Sequence, residues 1–281
     1  MPNSPLNALT LGLSPCPNDT YIFHALLHGL TPAPFKTKAH IADVEELNTL
    51  AQNRQLDVTK ISLGVVAHIM DDYALLSSGA ALGWGCGPLI VARAALRQQD
   101  RRMASVAIPG LMTTANLLLD LHGDFQGQRK EMLFSDVMPA VQRGETDMGV
   151  IIHEGRFTYK RMGLVKILDL GEWWETLFHM PLPLGVIAIR RDIPLATAGS
   201  VQSAIAASLA YALATPGASK NFVRAYAQEM EADVIASHIK TFVTDFSLDL
   251  GQIGSTAIET LVGRAAELQG RRLPAEGLFL R

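Results

Sequence analysis

The stretch from Asp147 to Tyr159, reading DMGVIIHEGRFTY, constrains the fold of this chain more than any other. Met148 to Ile152 has no polar side chain and is β-branched at Val150, Ile151 and Ile152, so it reads as a strand buried on both faces. A strand of that kind suits a parallel sheet flanked by helices, which makes the chain α/β. His153 follows at the strand's carboxyl end, where open α/β sheets place their ligands. With an ordinary pKa of about 6.5, a neutral imidazole there is a candidate general base. The alternative is a strand-end histidine bonded to a neighbouring loop.

A second passage has the same form. In Arg54 to Ser62 (RQLDVTKIS), as in Arg143 to His153, a helix ends near an arginine and an aspartate, Asp57 or Asp147, opens a buried strand. A polar residue then stands at the strand's far end, Ser62 in one case and His153 in the other. One structural phrase used twice predicts two lobes, with Ser62 and His153 facing each other across a cleft. The length of 281 residues also exceeds the usual size of a single core. Proline-framed passages near Pro88 and from Pro181 to Gly185 read as two crossings between lobes. Residues 1–88 plus 187–281 then form the first lobe, and residues 89–186 form a second lobe inserted within it.

A net charge of −3 with interspersed signs leaves no basic stripe for nucleic acid, so the expected partner is a small molecule. Cys16 and Cys86, without a CxxC, indicate neither a disulfide framework nor a structural zinc site, as in a reducing compartment. The first residues lack the positive charges of a secretory signal, and no apolar run reaches the roughly 18 residues of a membrane span. The expected location is the cytoplasm, with no membrane partner.

In chain order, Leu9 to Leu13 reads as a strand, and Ser14 to Asp19 as the rigid polar loop that leaves it, with Asn18 or Asp19 capping a helix from Thr20 to His28. Such a loop suits hydroxyl or carboxylate groups of a ligand, or is an ordinary capped turn. His24 and His28 share a helical face, but with no third ligand they read as surface or packing residues. A helix over Val44 to Leu56 precedes the strand Asp57 to Ser62. Gly79, Gly83, Gly85 and Gly87 do not form GxGxxG, which excludes a dinucleotide site and suggests close backbone approach or a bend at the lobe boundary. Thr113 and Thr114 open a helix after the strand Ala104 to Ile108, where hydroxyls and free N–H groups suit an anion or serve as caps. Leu133 and Phe134 read as a short strand, with Ser135 capping the helix that ends at Arg143. Val165 to Asp169 and Val186 to Arg190 are further strands, and Trp173 and Trp174 either wall a pocket or simply pack. Helices over Val201 to Ala214, Ala218 to Glu229, Ala232 to Phe242 and Ile253 to Gln269 brace the first lobe or form a subunit interface, as in a homodimer.

Several of these blocks carry a family resemblance. SPCPNDT from Ser14, DVEELN from Asp43, Lys60 to Ser62, the threonine pair, IIHEGRFTY from Ile151 and LPLG from Leu182 together resemble the 1,4-dihydroxy-6-naphthoate synthases of the futalosine route to menaquinone. The resemblance implies two α/β lobes with a double crossover, as in type II periplasmic binding proteins. It implies a carbon–carbon lyase that cleaves cyclic dehypoxanthine futalosine to 1,4-dihydroxy-6-naphthoate and dihydroxyacetone. It further implies that His153 is the proton acceptor, while Lys60, Ile61, Ser62, Thr113 and Thr114 hold substrate. Asn18 and Asp19 are candidates to orient the sugar-derived portion, and Glu154 either steers His153 or points away. No metal or organic cofactor is expected, because the aromaticity of the product drives the cleavage. The competing readings are chorismate dehydratase of the same pathway and a solute-binding protein that binds without reacting.

Overall fold

The computed structural model describes residues 8–227 and 231–280. From the amino end, β1 (Leu9–Leu13), α1 (Pro17–Leu27), β2 (Thr37–Ile41), α2 (Val44–Gln52), β3 (Val58–Ser62), α3 (Leu63–Ile69), β4 (Tyr73–Leu75) and β5 (Ala81–Gly83) lead to the first crossing. There follow β6 (Leu89–Ala92), α4 (Gln98–Arg101), β7 (Val106–Ile108), α5 (Thr114–His122), β8 (Arg129–Glu131), α6 (Phe134–Arg143), β9 (Met148–Ile151), α7 (Gly155–Thr158), β10 (Val165–Asp169) and α8 (Leu170–Phe178). The chain then returns through β11 (Leu182–Arg190) to α9 (Leu195–Ala214), α10 (Lys220–Tyr226), α11 (Ala232–Phe242), α12 (Asp245–Leu248) and α13 (Gly251–Leu268).

The strands form two sheets. One has the order β2-β1-β3-β11-β4 with β5 paired to β11, and the other the order β10-β6-β9-β7-β8. Strand alternation explains how each sheet is covered on both faces. In β11, Ile187 and Ile189 pack with Ile22, Phe23, Ile205 and Leu209 of α1 and α9. Val186 and Ala188 belong instead to the core that holds Val66 of α3 and Ile258 and Leu261 of α13. The same core continues into the second sheet through Ile90, Val106 and Val150, while Leu89, Val91 and Ile151 face Val137 and Val141 of α6.

Five expectations are corrected. Neither sheet is purely parallel: β9 lies parallel to β7 but antiparallel to β6, and β11 lies antiparallel to β3. An unbroken apolar run reports burial on both faces, not the direction of its neighbours, and strands arriving from a crossing enter reversed. Helix α1 begins at Pro17, not Thr20, because proline at the first helical position lacks an N–H that would have no partner there. Cys16 is therefore the cap residue, and Asn18 and Asp19 fall inside the first turn. Leu133 and Phe134 are not a strand: Leu133 caps α6, and the strand of that region is the charged Arg129–Glu131 at the sheet edge, paired only with β7. Residues 77–88 are not all loop, since Ala81–Gly83 pairs with β11. That pairing also starts β11 at Leu182 rather than Val186, with Pro183 tolerated where the register shifts between Pro183 and Gly185. The expected helix end at Glu229 lies outside the described residues.

Trp173 and Trp174 pack. Trp174 is fully buried against Phe178, and Trp173 lies beside His122. Among the described residues no helix is long and apolar enough to cross a membrane, and no cluster of metal-ligating side chains occurs. His24 and His28 stack on each other 4.6 Å apart, with Phe222 against both.

Candidate active site

The carboxyl ends of β1, β3 and β9 open onto one cavity. Asn18, Asp19, Lys60, Ile61, Ser62, Thr113, Thr114 and His153 all line it, whereas Glu154, His24, His28, Trp173 and Trp174 do not. Ser62 ends a strand of one sheet, and His153 follows a strand of the other.

The floor is a buried charge pair. Asp19 Oδ1 lies 3.0 Å from Lys60 Nζ, which also donates to the Gly79 carbonyl oxygen at 2.8 Å. The other carboxylate oxygen of Asp19 accepts from the Ser14 hydroxyl at 2.7 Å, and Asn18 Nδ2 donates to Oδ1 at 2.8 Å. A carboxylate taken out of water needs such partners, so the prolines of SPCPNDT hold a loop whose polar groups turn inward.

The threonines act differently from the expected free hydroxyls. Thr113 donates to the Gly110 carbonyl at 2.7 Å and accepts from Asn116 N–H as the cap of α5. Thr114 donates to the Leu184 carbonyl at 2.5 Å and accepts from Leu63 N–H at 2.9 Å. Both hydroxyl protons therefore go to backbone, and what the pair turns toward a ligand is the N-terminal end of α5. Thr114 also ties α5 to α3 and β11. The join is tight: a Cβ on Gly64 would stand 2.4 Å from the Met112 carbonyl oxygen.

Glu45 and Asn48 complete this wall, and the sequence reading gave neither a role. Asn48 Oδ1 accepts from Ser62 N–H at 2.9 Å, and its amide nitrogen donates to Ser62 Oγ at 3.2 Å and Glu45 Oε2 at 3.0 Å. Glu45 Oε1 accepts from Met112 N–H at 2.7 Å, so α2 grips the loop before α5. Burial pushes the Glu45 carboxyl above its ordinary range, and these hydrogen bonds oppose the push.

His153 occupies the left-handed backbone region at φ 53°, unusual for a residue with a side chain. Its ring sits between Phe134, edge-on at 4.9 Å, and His238, stacked at 5.9 Å with 8° between planes. Cys16 Sγ is 3.5 Å from Nδ1. Burial pushes the Cys16 thiol well above its ordinary pKa, so it stands as a thiol against the imidazole.

His238 and Arg156 went unnoticed in the sequence. His238, in the middle of the amphipathic α11, is fully buried with Nε2 2.9 Å from Asn18 Oδ1, and burial holds its pKa well below the usual value. Nothing local in the sequence marks it, because its partners lie 220 residues away in chain order. Arg156 donates to the Gly87 carbonyl at 2.6 Å and stands 3.9 Å from Asp169, pinning the first crossing. There Gly87 and Gly171 touch, since a Cβ on Gly87 would meet the Gly171 Cα at 2.3 Å.

A profile of the family described as menaquinone biosynthesis matches residues 9–267. The chain belongs to this family. It is 44% identical over 271 residues to a 1,4-dihydroxy-6-naphthoate synthase of Thermus thermophilus, covering 96% of this chain and 98% of the relative. It is 41% identical to the enzyme of that name from Streptomyces coelicolor, covering 92% and 93% respectively. Among solved structures, a protein of Archaeoglobus fulgidus superposes with a TM-score of 0.87 at 32% identity, over 94% of this chain and 98% of that one. The periplasmic aliphatic sulphonate binding protein of Escherichia coli, at 13% identity and a TM-score of 0.65 over 94% and 88%, shares the fold alone. The expected fold of the periplasmic binding proteins is thus the fold of this family member.

Proposed function

We propose that this family member is a carbon–carbon lyase that cleaves cyclic dehypoxanthine futalosine to 1,4-dihydroxy-6-naphthoate in the cytoplasm, with His153 as the base. The observation that carries the reading is the placement of His153, whose imidazole lines the cavity beside a protonated thiol in a chain 44% identical to a relative named for that product. A neutral imidazole accepts the proton whose removal starts the scission, and donors in the opposite wall steady the negative charge that develops on oxygen. The Ser62 hydroxyl, which accepts from Asn48 and keeps its own proton for a ligand, is one such donor. The N-terminal end of α5 at Thr113 and Thr114 is another. Lys60 is neutralised by Asp19, and its part is to fix Asn18, Asp19 and the backbone at Ile61 in the floor. The two sheets, joined at the passages near Gly87 and Leu182, act as two lobes that close on the substrate. Incubating the purified protein with cyclic dehypoxanthine futalosine and following naphthoate by mass spectrometry tests the reading. Accumulation dependent on His153 supports it, and substrate bound but unconverted overturns it.

A further inference from the structure

Two buried polar atoms next to the base have no hydrogen-bond partner: Nδ1 of His238 and Oε2 of Glu154. They face each other at 3.7 Å, just beyond hydrogen-bond length. The tautomer of His238 follows from its other side. Asn18 turns its amide nitrogen to the Asp19 carboxylate, which only accepts, so its oxygen must face His238. Nε2 of His238 therefore carries a hydrogen, and on a neutral ring Nδ1 carries a lone pair. A lone pair and a carboxylate oxygen repel each other where both atoms are buried, whereas a single proton between them turns the contact attractive.

We propose that Glu154 and His238 hold one proton between them, forming a neutral pair against which the ring of His153 stacks. The inference rests on the reading of His153 as the base and adds two positioning residues to it. The titratable groups that face the pair are His153 and, beside its ring, Cys16; the ion pair of Arg161 and Glu231 lines a pocket with Glu154, and beyond Asn18 stand Asp19 and Lys60, which neutralise each other. A neutral pair fixes the imidazole in place without the nearby negative charge that would favour its protonated form.

The consequence is visible in the pH dependence of the chemical step. In His238→Phe a ring still stacks on His153, but no acceptor is left to share a proton, and Glu154 becomes a bare carboxylate beside His153. The acid limb of kcat should then move up by roughly half a pH unit or more, with KM little changed. In Glu154→Gln the amide donates permanently to Nδ1, so the limb should stay where it is in the wild type. The double variant should also return it there. A limb that moves down in Glu154→Gln, or stays in place in His238→Phe, overturns the proposal. Nitrogen NMR of the wild-type histidines decides independently of activity and of any folding failure in the variants. A proton bound at Nε2 and a hydrogen-bonded Nδ1 that becomes bare in Glu154→Ala support the pair. A bare Nδ1 in the wild type overturns it. Absence of any naphthoate from the wild type would instead strike the proposed reaction and leave the NMR result standing.

Discussion

The Asp19 carboxylate lies 3.0 Å from the Lys60 ammonium, with the two side chains no more than 5% exposed. Removing one member of such a pair leaves the other charged in a dry wall. Asp19→Asn should cost about 3–5 kcal/mol of folding stability in urea unfolding. Replacing both members with apolar residues of similar size should cost less than either single change. A loss under about 1 kcal/mol for Asp19→Asn would show that Lys60 reaches solvent or another partner.

The threonine pair should behave as a structural tie before it behaves as a ligand contact. Thr114→Val strands the Leu184 carbonyl and the Leu63 N–H, which should cost about 1–3 kcal/mol in thermal or urea unfolding. Thr113→Val loses the cap of α5, worth about 1 kcal/mol. Binding of the naphthoate, followed by calorimetry, should weaken far less in Thr113→Val than the roughly tenfold expected from loss of a hydrogen bond to a charged group. A tenfold loss of affinity with unchanged stability would return the hydroxyls to the ligand.

Both thiols should be unreactive in the folded protein. Burial pushes Cys86 up to about 12 and Cys16 well above its usual value, and the thiolate is the reacting form. Mass spectrometry after iodoacetamide near neutral pH should find neither cysteine alkylated in the native protein and both alkylated in urea. The sign of the linked stability follows. An unfolded thiol ionises near about 8.5, while the folded ones keep their protons, so the folded state binds more protons above that pH and stability should fall as pH rises from there toward about 12. Stability that rises across this window would contradict the burial of the thiols.

What was legible in the sequence was local. The strand before His153, the strand ending in Ser62 and the capped start of α5 each declare themselves within a dozen residues, because apolar patterning and caps act over one or two turns. The boundary at Leu133 was misread because two apolar residues carry no period, and the charged edge strand Arg129–Glu131 has none of the composition by which strands are recognised. Helix α1 starts at Pro17 rather than Thr20 because the first helical position suits proline, a residue that otherwise reads as loop. His238 reaches the site through Asn18, and Arg156, in the same block as His153, reaches across to Gly87; no spacing in the chain encodes those meetings. The roles of Glu45 and Asn48 were hidden for the same reason, although their block was noticed.

The most direct test of the central claim replaces the imidazole alone. His153→Asn keeps a side chain of similar shape and one hydrogen bond but removes the proton acceptor. With cyclic dehypoxanthine futalosine as substrate, turnover should fall by about 10²- to 10⁴-fold while the substrate still binds, since a positioned base contributes that much to rate. A His153→Asn enzyme that forms naphthoate at close to the wild-type rate would contradict the account and move the base to another group in the cavity.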